Sequence, residues 1–173
     1  DELKIPSMLK NENSLFEIQT EEEFRQMALR VFRYQYEHCS LYGAWVRSLK
    51  TDPAKVEDLS GIPFLPAEFF KTHEVLSKKA KPESLVFKSS GTTGSLPAVH
   101  IVADREIYEQ SFLRTFRQFY GEPSEYCILA LLPGYLERSN SSLVYMVQRL
   151  VELTNDPRSG FFLRDTARLL STI

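Results

Sequence analysis

The chain contains only two cysteines, Cys39 and Cys127, which are too few and too far apart for a disulfide framework or a cysteine-based zinc site. Both are expected to be reduced. The three histidines, His38, His73 and His100, do not fall into ligand spacing with one another or with the cysteines, so no structural metal is expected. There is no excess of positive charge either. A formal net charge of -2 and a pI near 6.0 exclude the electrostatic footprint of a nucleic-acid binder or of a protein drawn to an anionic membrane surface. No run approaches the ~18–20 apolar residues that a membrane span needs. The opening Asp1-Glu2-Leu3-Lys4 lacks both the basic start and the apolar core of a secretory signal, which leads to the expectation of a cytoplasmic protein.

What is present suits an ordinary folded chain with small-molecule or protein partners. Its apolar share is 43% of 173 residues, enough for a real core. Residues 1–19 show no clear period. At Thr20, followed three residues later by Glu23, a capping box opens a helix predicted over 21–38, with Phe24, Met27, Ala28 and Val31 at helical spacing. A second helix is predicted over 40–49 and must end before Pro53. Residues 1–60 therefore read as a helical front section and 61–173 as an α/β section.

Ile62-Pro63-Phe64-Leu65-Pro66 is an extended connector, because each proline biases the preceding residue away from helix. The lysine-rich stretch 77–81 reads as a solvated loop rather than a phosphate patch. A strand over 84–88 and another over 98–102 then flank Ser89-Ser90-Gly91-Thr92-Thr93-Gly94. This segment crowds hydroxyls and backbone N–H groups into one short turn. Gly91 and Gly94 let the backbone approach a bulky anion, as a phosphate-holding loop requires, and a pyrophosphate-bearing nucleotide is the first ligand suggested. The commoner nucleotide loops are excluded. No lysine follows Gly94, and a strand rather than a helix comes next, so this is not a P-loop; the dinucleotide-binding spacing of glycines is absent as well.

Asp104 caps a helix predicted over 105–120, whose stripe of Tyr108, Phe112, Phe116 and Phe119 reads as core. Gly121 ends it. Residues 126–132 are continuously apolar, which suits a strand covered on both faces and makes a mostly parallel sheet with flanking helices the expected architecture. Cys127, inside that strand, reads as a small hydrophobe. The loop that follows, at a strand's C-terminal end, makes Tyr135, Glu137, Arg138 and Ser141 candidates for a substrate pocket. A largely buried helix from about 142, a short strand over 160–163 and a further helix from 164 complete the reading.

Ser89-Ser90-Gly91-Thr92-Thr93-Gly94 with Pro97 resembles the signature loop of the adenylate-forming enzymes: acyl-CoA synthetases, the phenylacetate-CoA ligase branch and the LuxE-type acyl-protein synthetases. The connector at 62–66 is similar to the one preceding this loop in the latter two branches. The stretch 129–143, Leu-Ala-Leu-Leu-Pro-Gly-Tyr-Leu-Glu-Arg-Ser-Asn-Ser-Ser-Leu, looks closest to LuxE-like proteins. The resemblance implies an ATP- and magnesium-dependent activation of a carboxylic acid, such as a fatty acid, to an acyl-adenylate, followed by transfer to a protein cysteine or to coenzyme A. It also implies that Ser89, Ser90, Gly91, Thr92, Thr93 and Gly94 hold the β- and γ-phosphates.

Two departures qualify that pattern. Ser95-Leu96 precede Pro97, and Ala98 stands where the family carries a lysine, which leaves Lys88 or His100 as the nearest candidate cations in the sequence. No stretch after Gly160 matches the family's adenine, ribose or catalytic-lysine motifs. The expectation is therefore an incomplete N-terminal domain, inactive alone, with residues 161–173 as a homodimer surface, and the competing reading is a nucleotide- or partner-binding module without catalysis.

Overall fold

The computed structural model describes residues 15–89, 96–134 and 138–172. Its Cα positions divide into two compact units, Asp1–Pro82 and Glu83–Ile173.

In the first unit, helix α1 (Glu21–His38) begins at the predicted capping box. The Thr20 hydroxyl accepts from the Glu23 N–H at 3.2 Å, and the Glu23 carboxylate accepts from the Thr20 N–H at 3.0 Å. Two orphan amides of the first turn are thereby satisfied reciprocally. Helix α2 (Ser40–Ser48) follows after a single residue. Cys39 closes α1 through its N–H to the Gln35 carbonyl at 2.8 Å and opens α2 by accepting from Gly43 N–H at 2.9 Å. So tight a reversal presses the helices together. A Cβ built on Gly43 would lie 2.6 Å from the Tyr36 carbonyl oxygen, so glycine is required there by space.

The core of this unit is Leu29, Phe32, Cys39, Tyr42, Val46 and Val56, with Ile62, Leu65 and Val75 packed against it. The proline connector is thus part of the helical core. Its prolines deprive it of ladder partners, and two aromatic side chains take up its carbonyls. Tyr42 donates to the Pro63 oxygen at 2.7 Å, and the Trp45 indole donates to the Phe64 oxygen at 3.1 Å. Helix α3 (Phe69–Thr72) is a single turn after it.

In the second unit, β1 (Leu85–Lys88) and β2 (Val99–Val102) pair antiparallel, with Lys88 opposite Val99 and Phe87 opposite His100. Helix α4 (Arg105–Tyr120) starts at Asp104, whose carboxylate accepts from the Ile107 N–H at 3.2 Å, and ends at Gly121, where φ is 86°. Then come β3 (Leu129–Ala130), α5 (Ser142–Thr154), β4 (Gly160–Phe161) and α6 (Thr166–Thr172). Strands β3 and β4 pair in parallel.

Three expectations are corrected here. Among the described residues the strands form two separate two-stranded sheets, one antiparallel, rather than one mostly parallel sheet. The apolar run 126–132 contributes only two residues to a ladder. Its partner β4 ends where the Asp165 N–H turns back to the Phe162 carbonyl at 3.0 Å. Tyr126, Cys127 and Leu131 stay exposed, so Cys127 is a surface thiol and not a packed hydrophobe. The aromatic stripe of α4 is only partly covered. Tyr108, Phe112 and Phe116 are half-buried, and Phe119 is 72% exposed, because α5 and the turn Pro123–Glu125 shield one side of the helix only.

Candidate functional site

The glycine-hydroxyl segment joins β1 to β2, and the antiparallel register sets its two ends side by side. Ser89 N–H donates to the Ala98 carbonyl at 2.9 Å, and Ala98 N–H donates to the Ser89 hydroxyl oxygen at 2.9 Å. One residue on each side therefore closes the hairpin with a reciprocal pair of bonds. Ser89, proposed as a phosphate donor, accepts one bond at the loop's root and retains its own hydroxyl proton for donation. Ser90, Gly91, Thr92, Thr93 and Gly94 lie outside the described residues, as do Tyr135 and Glu137.

The remaining sequence-predicted residues are brought close to that root. Lys88 N–H donates to the Asn140 carbonyl at 2.9 Å. This bond joins the end of β1 to the residue just before Ser141, the N-cap of α5. The Ser141 hydroxyl accepts from the Val144 N–H at 3.4 Å, so it serves the helix start, and its backbone N–H donates to the Arg138 carbonyl at 3.1 Å. Arg138 is exposed, with its N–H donating to the Gly134 carbonyl at 3.2 Å. The two candidate regions, separated by about fifty residues of chain, are thus adjacent at their backbones.

Beneath β1, side chains do the positioning. Lys88 and Val86 are exposed, while Phe87 between them is buried, as strand alternation requires. Phe87 packs against Tyr108 of α4 at 5.3 Å and Tyr145 of α5 at 5.8 Å between ring centroids. Tyr145 is in turn held by a polar clamp that sequence reading missed. Its hydroxyl donates to the Glu109 carboxylate, which also accepts from Arg105 Nε at 2.8 Å and from the Arg149 guanidinium at 3.3 Å. Tyr145 and Arg149 are four residues apart and share one face of α5. Glu109 therefore staples that face to α4. The signal available in the sequence was the Arg105/Glu109 and Tyr145/Arg149 spacing, each one helical turn, but nothing in it says that the two helices meet.

The electrostatics follow from this geometry. Burial pushes the Glu109 carboxyl upward, but hydrogen bonds from Tyr145 and Arg105, with the charges of Arg149 and Arg105, outweigh it and hold the group below its ordinary 4.5. Tyr145 is pushed up to about 12, first by burial and then by donating to the Glu109 carboxylate. At neutral pH the clamp is a carboxylate, a neutral phenol and two guanidiniums.

As a phosphate cradle the hairpin fits in one respect and not in another. The Ser89 hydroxyl stands at the root, but position 98 offers a backbone and no cation, and Lys88 lies on the strand face opposite Phe87. Among the described residues no three His, Cys, Asp or Glu side chains are grouped to hold a metal ion, and no helix is long and apolar enough to cross a membrane.

A family model described as acyl-protein synthetase, LuxE, matches residues 10–167, nearly the whole chain. No curated protein and no solved structure matches it significantly.

Proposed function

The chain belongs to the LuxE acyl-protein synthetase family, and from that premise we propose that it carries the phosphate-binding part of an ATP-dependent acyl-activating ligase. A carboxylate oxygen of the acid, most simply a fatty acid, attacks the α-phosphorus of ATP. The bond from that phosphorus to the bridging oxygen breaks, and pyrophosphate leaves with the electron pair. A thiol of a protein cysteine or of coenzyme A then attacks the acyl carbon, forming the thioester and releasing AMP, with the thiol proton passing to solvent. Magnesium arriving with the nucleotide would neutralise phosphate charge.

In this reading Ser89, Ser90, Gly91, Thr92, Thr93 and Gly94 hold the β- and γ-phosphates, with Lys88 the neighbouring cation. Tyr135, Glu137, Arg138 and Ser141 border the acid. The segment's contribution is positional and electrostatic: donors fixed in advance where charge develops on the leaving pyrophosphate. The observation that supports the reading is the 2.9 Å bond from Lys88 N–H to the Asn140 carbonyl, which joins the end of β1 to the residue before Ser141. Exchange of labelled pyrophosphate into ATP, measured on the longest natural form of the protein with a panel of fatty and aryl acids, tests it. Acid-dependent exchange that Gly91→Val abolishes is expected. No exchange with any acid, or exchange indifferent to Gly91→Val, overturns it.

A second reading, a nucleotide- or partner-binding module without turnover, is favoured by Ala98, which stands at the lysine position and spends its backbone on closing the hairpin. ATP binding without exchange would select it.

A further inference from the structure

The first unit contains a half-open cleft of about 310 Å³ between α1 and the proline connector. Its walls include Ala28, Val31 and Phe32 from α1, Ile62 and Leu65 from the connector, and Val75 beyond α3. Among the described residues no charged side chain lines it. The polar atoms at its wall are few: the Gln35 amide, the Ser77 hydroxyl, the Cys39 thiol and the Tyr42 hydroxyl, the last already donating to the Pro63 carbonyl.

Each of these features narrows the occupant. A carboxylate or phosphate buried here would lack a counter-charge, which is costly, so an ionic head must stay outside. An extended peptide strand buried here would bring N–H and C=O groups in excess of the partners available. An apolar cavity of roughly 150 Å³ already admits benzene and excludes water. At about twice that volume the cleft matches an alkyl chain on the order of ten carbons, at the lower end of the size range of ligand pockets. The wall is also set before any ligand arrives, because Tyr42 and Trp45 fix the carbonyls of Pro63 and Phe64. Phe64, 82% exposed, stands at the rim.

We propose that this cleft is a binding site for an unbranched alkyl chain whose polar head remains in solvent at the open side. Naming an acyl group as the source of that chain rests on the acyl-transfer reading above; the alkyl specificity itself rests on the cleft. Cys39, only 3% exposed and part of the wall, provides a reporter.

In the full chain carrying Cys127→Ser, the rate at which the uncharged reagent 4,4′-dithiodipyridine labels Cys39 is measured with and without decanoate, 1-decanol or butyrate, each below its micelle-forming concentration and without ATP. Decanoate and decanol are expected to slow labelling about tenfold or more, alike because the head is outside, and butyrate to leave it unchanged. Ala28→Phe, which fills the cleft from a half-buried helix position, is expected to remove the protection while retaining the circular-dichroism spectrum. Val31→Phe serves the same purpose if Ala28→Phe does not fold. No protection by either ten-carbon compound, or equal protection in the filled variants, overturns the proposal. Decanoyl-coenzyme A in a parallel arm separates thioester from free acid as the source, since protection by either one upholds the shared alkyl chemistry. Because ATP is absent, failure here is distinguishable from failure of pyrophosphate exchange.

Discussion

Replacing Tyr145 by phenylalanine removes one oxygen from the clamp beneath β1 and leaves the ring contacts with Phe87 and Tyr108 intact. A hydrogen bond to a charged acceptor contributes about 1.5–3 kcal/mol. Glu109 would keep Arg105 at 2.8 Å and Arg149 at 3.3 Å, so its carboxylate is not orphaned and the lower end applies, about 1.5 kcal/mol. Urea denaturation should show a lowered midpoint at unchanged slope. In a Glu109→Gln background the same change should cost less than half as much, since the charged acceptor has gone.

The pH dependence has a definite sign. The folded-state carboxyl of Glu109 lies below its ordinary 4.5, so its contribution is present above that value and is lost as pH falls through the depressed one. The gap between wild type and Tyr145→Phe should therefore be constant from pH 6 to 8 and narrow on acidification below about 4.5. At the alkaline end the sign reverses. Tyr145, raised from 10.0 to about 12, contributes stability that is whole below 10 and is lost as pH rises through about 12, and its phenolate absorbance step should disappear in Tyr145→Phe. A neutral Tyr145→Phe, or a cycle with no coupling to Glu109, would refute the clamp.

Gly43→Ala sets a helix-propensity gain of about 1 kcal/mol against a Cβ 2.6 Å from the Tyr36 carbonyl, in a buried reversal that cannot open freely. Overpacking of this kind costs roughly 1–3 kcal/mol, so a net loss in urea is expected, and a stabilised variant would contradict the packing of α1 on α2. Thr20→Ala should cost about 1 kcal/mol by removing half of the capping box. Native protein should show one rapidly reactive thiol, Cys127, and two after unfolding. On the proposed reading, Ala98→Lys, which places a cation beside the hairpin root, should lower the KM for ATP in the exchange assay by about tenfold, equivalent to 1.4 kcal/mol; no change would count against phosphate binding at this root.

Much of the fold was legible because it is written locally. The Thr20/Glu23 box, the Asp104 cap, the Gly121 stop and the Pro53 barrier act within a few residues of themselves, and α1 and α4 run over the residues their caps predict. The strand–loop–strand arrangement at 84–102 was readable for the same reason: apolar runs flank a glycine-hydroxyl turn, and β1 and β2 form there. Family membership also lies in the linear sequence, over residues 10–167.

What the sequence could not fix is what covers what. Residues 126–132 are apolar throughout, yet whether such a run is buried depends on elements elsewhere in the chain, and here Cys127 and Leu131 remain exposed while Phe162 is fully buried. The same holds for α4, whose aromatic stripe is amphipathic by period but is covered only as far as α5 reaches, leaving Phe119 in solvent. Strand direction belongs here too, because a short apolar strand carries no mark of whether its partner runs parallel. By itself the sequence determined caps, turns, and a glycine-hydroxyl segment with no lysine directly behind it, all properties of neighbours along the chain. Only the tertiary structure decided that Lys88 meets Asn140, that Glu109 staples α4 to α5 beneath Phe87, and that α1 and a proline connector leave an apolar cleft, because each is a contact between segments whose separation no local pattern encodes.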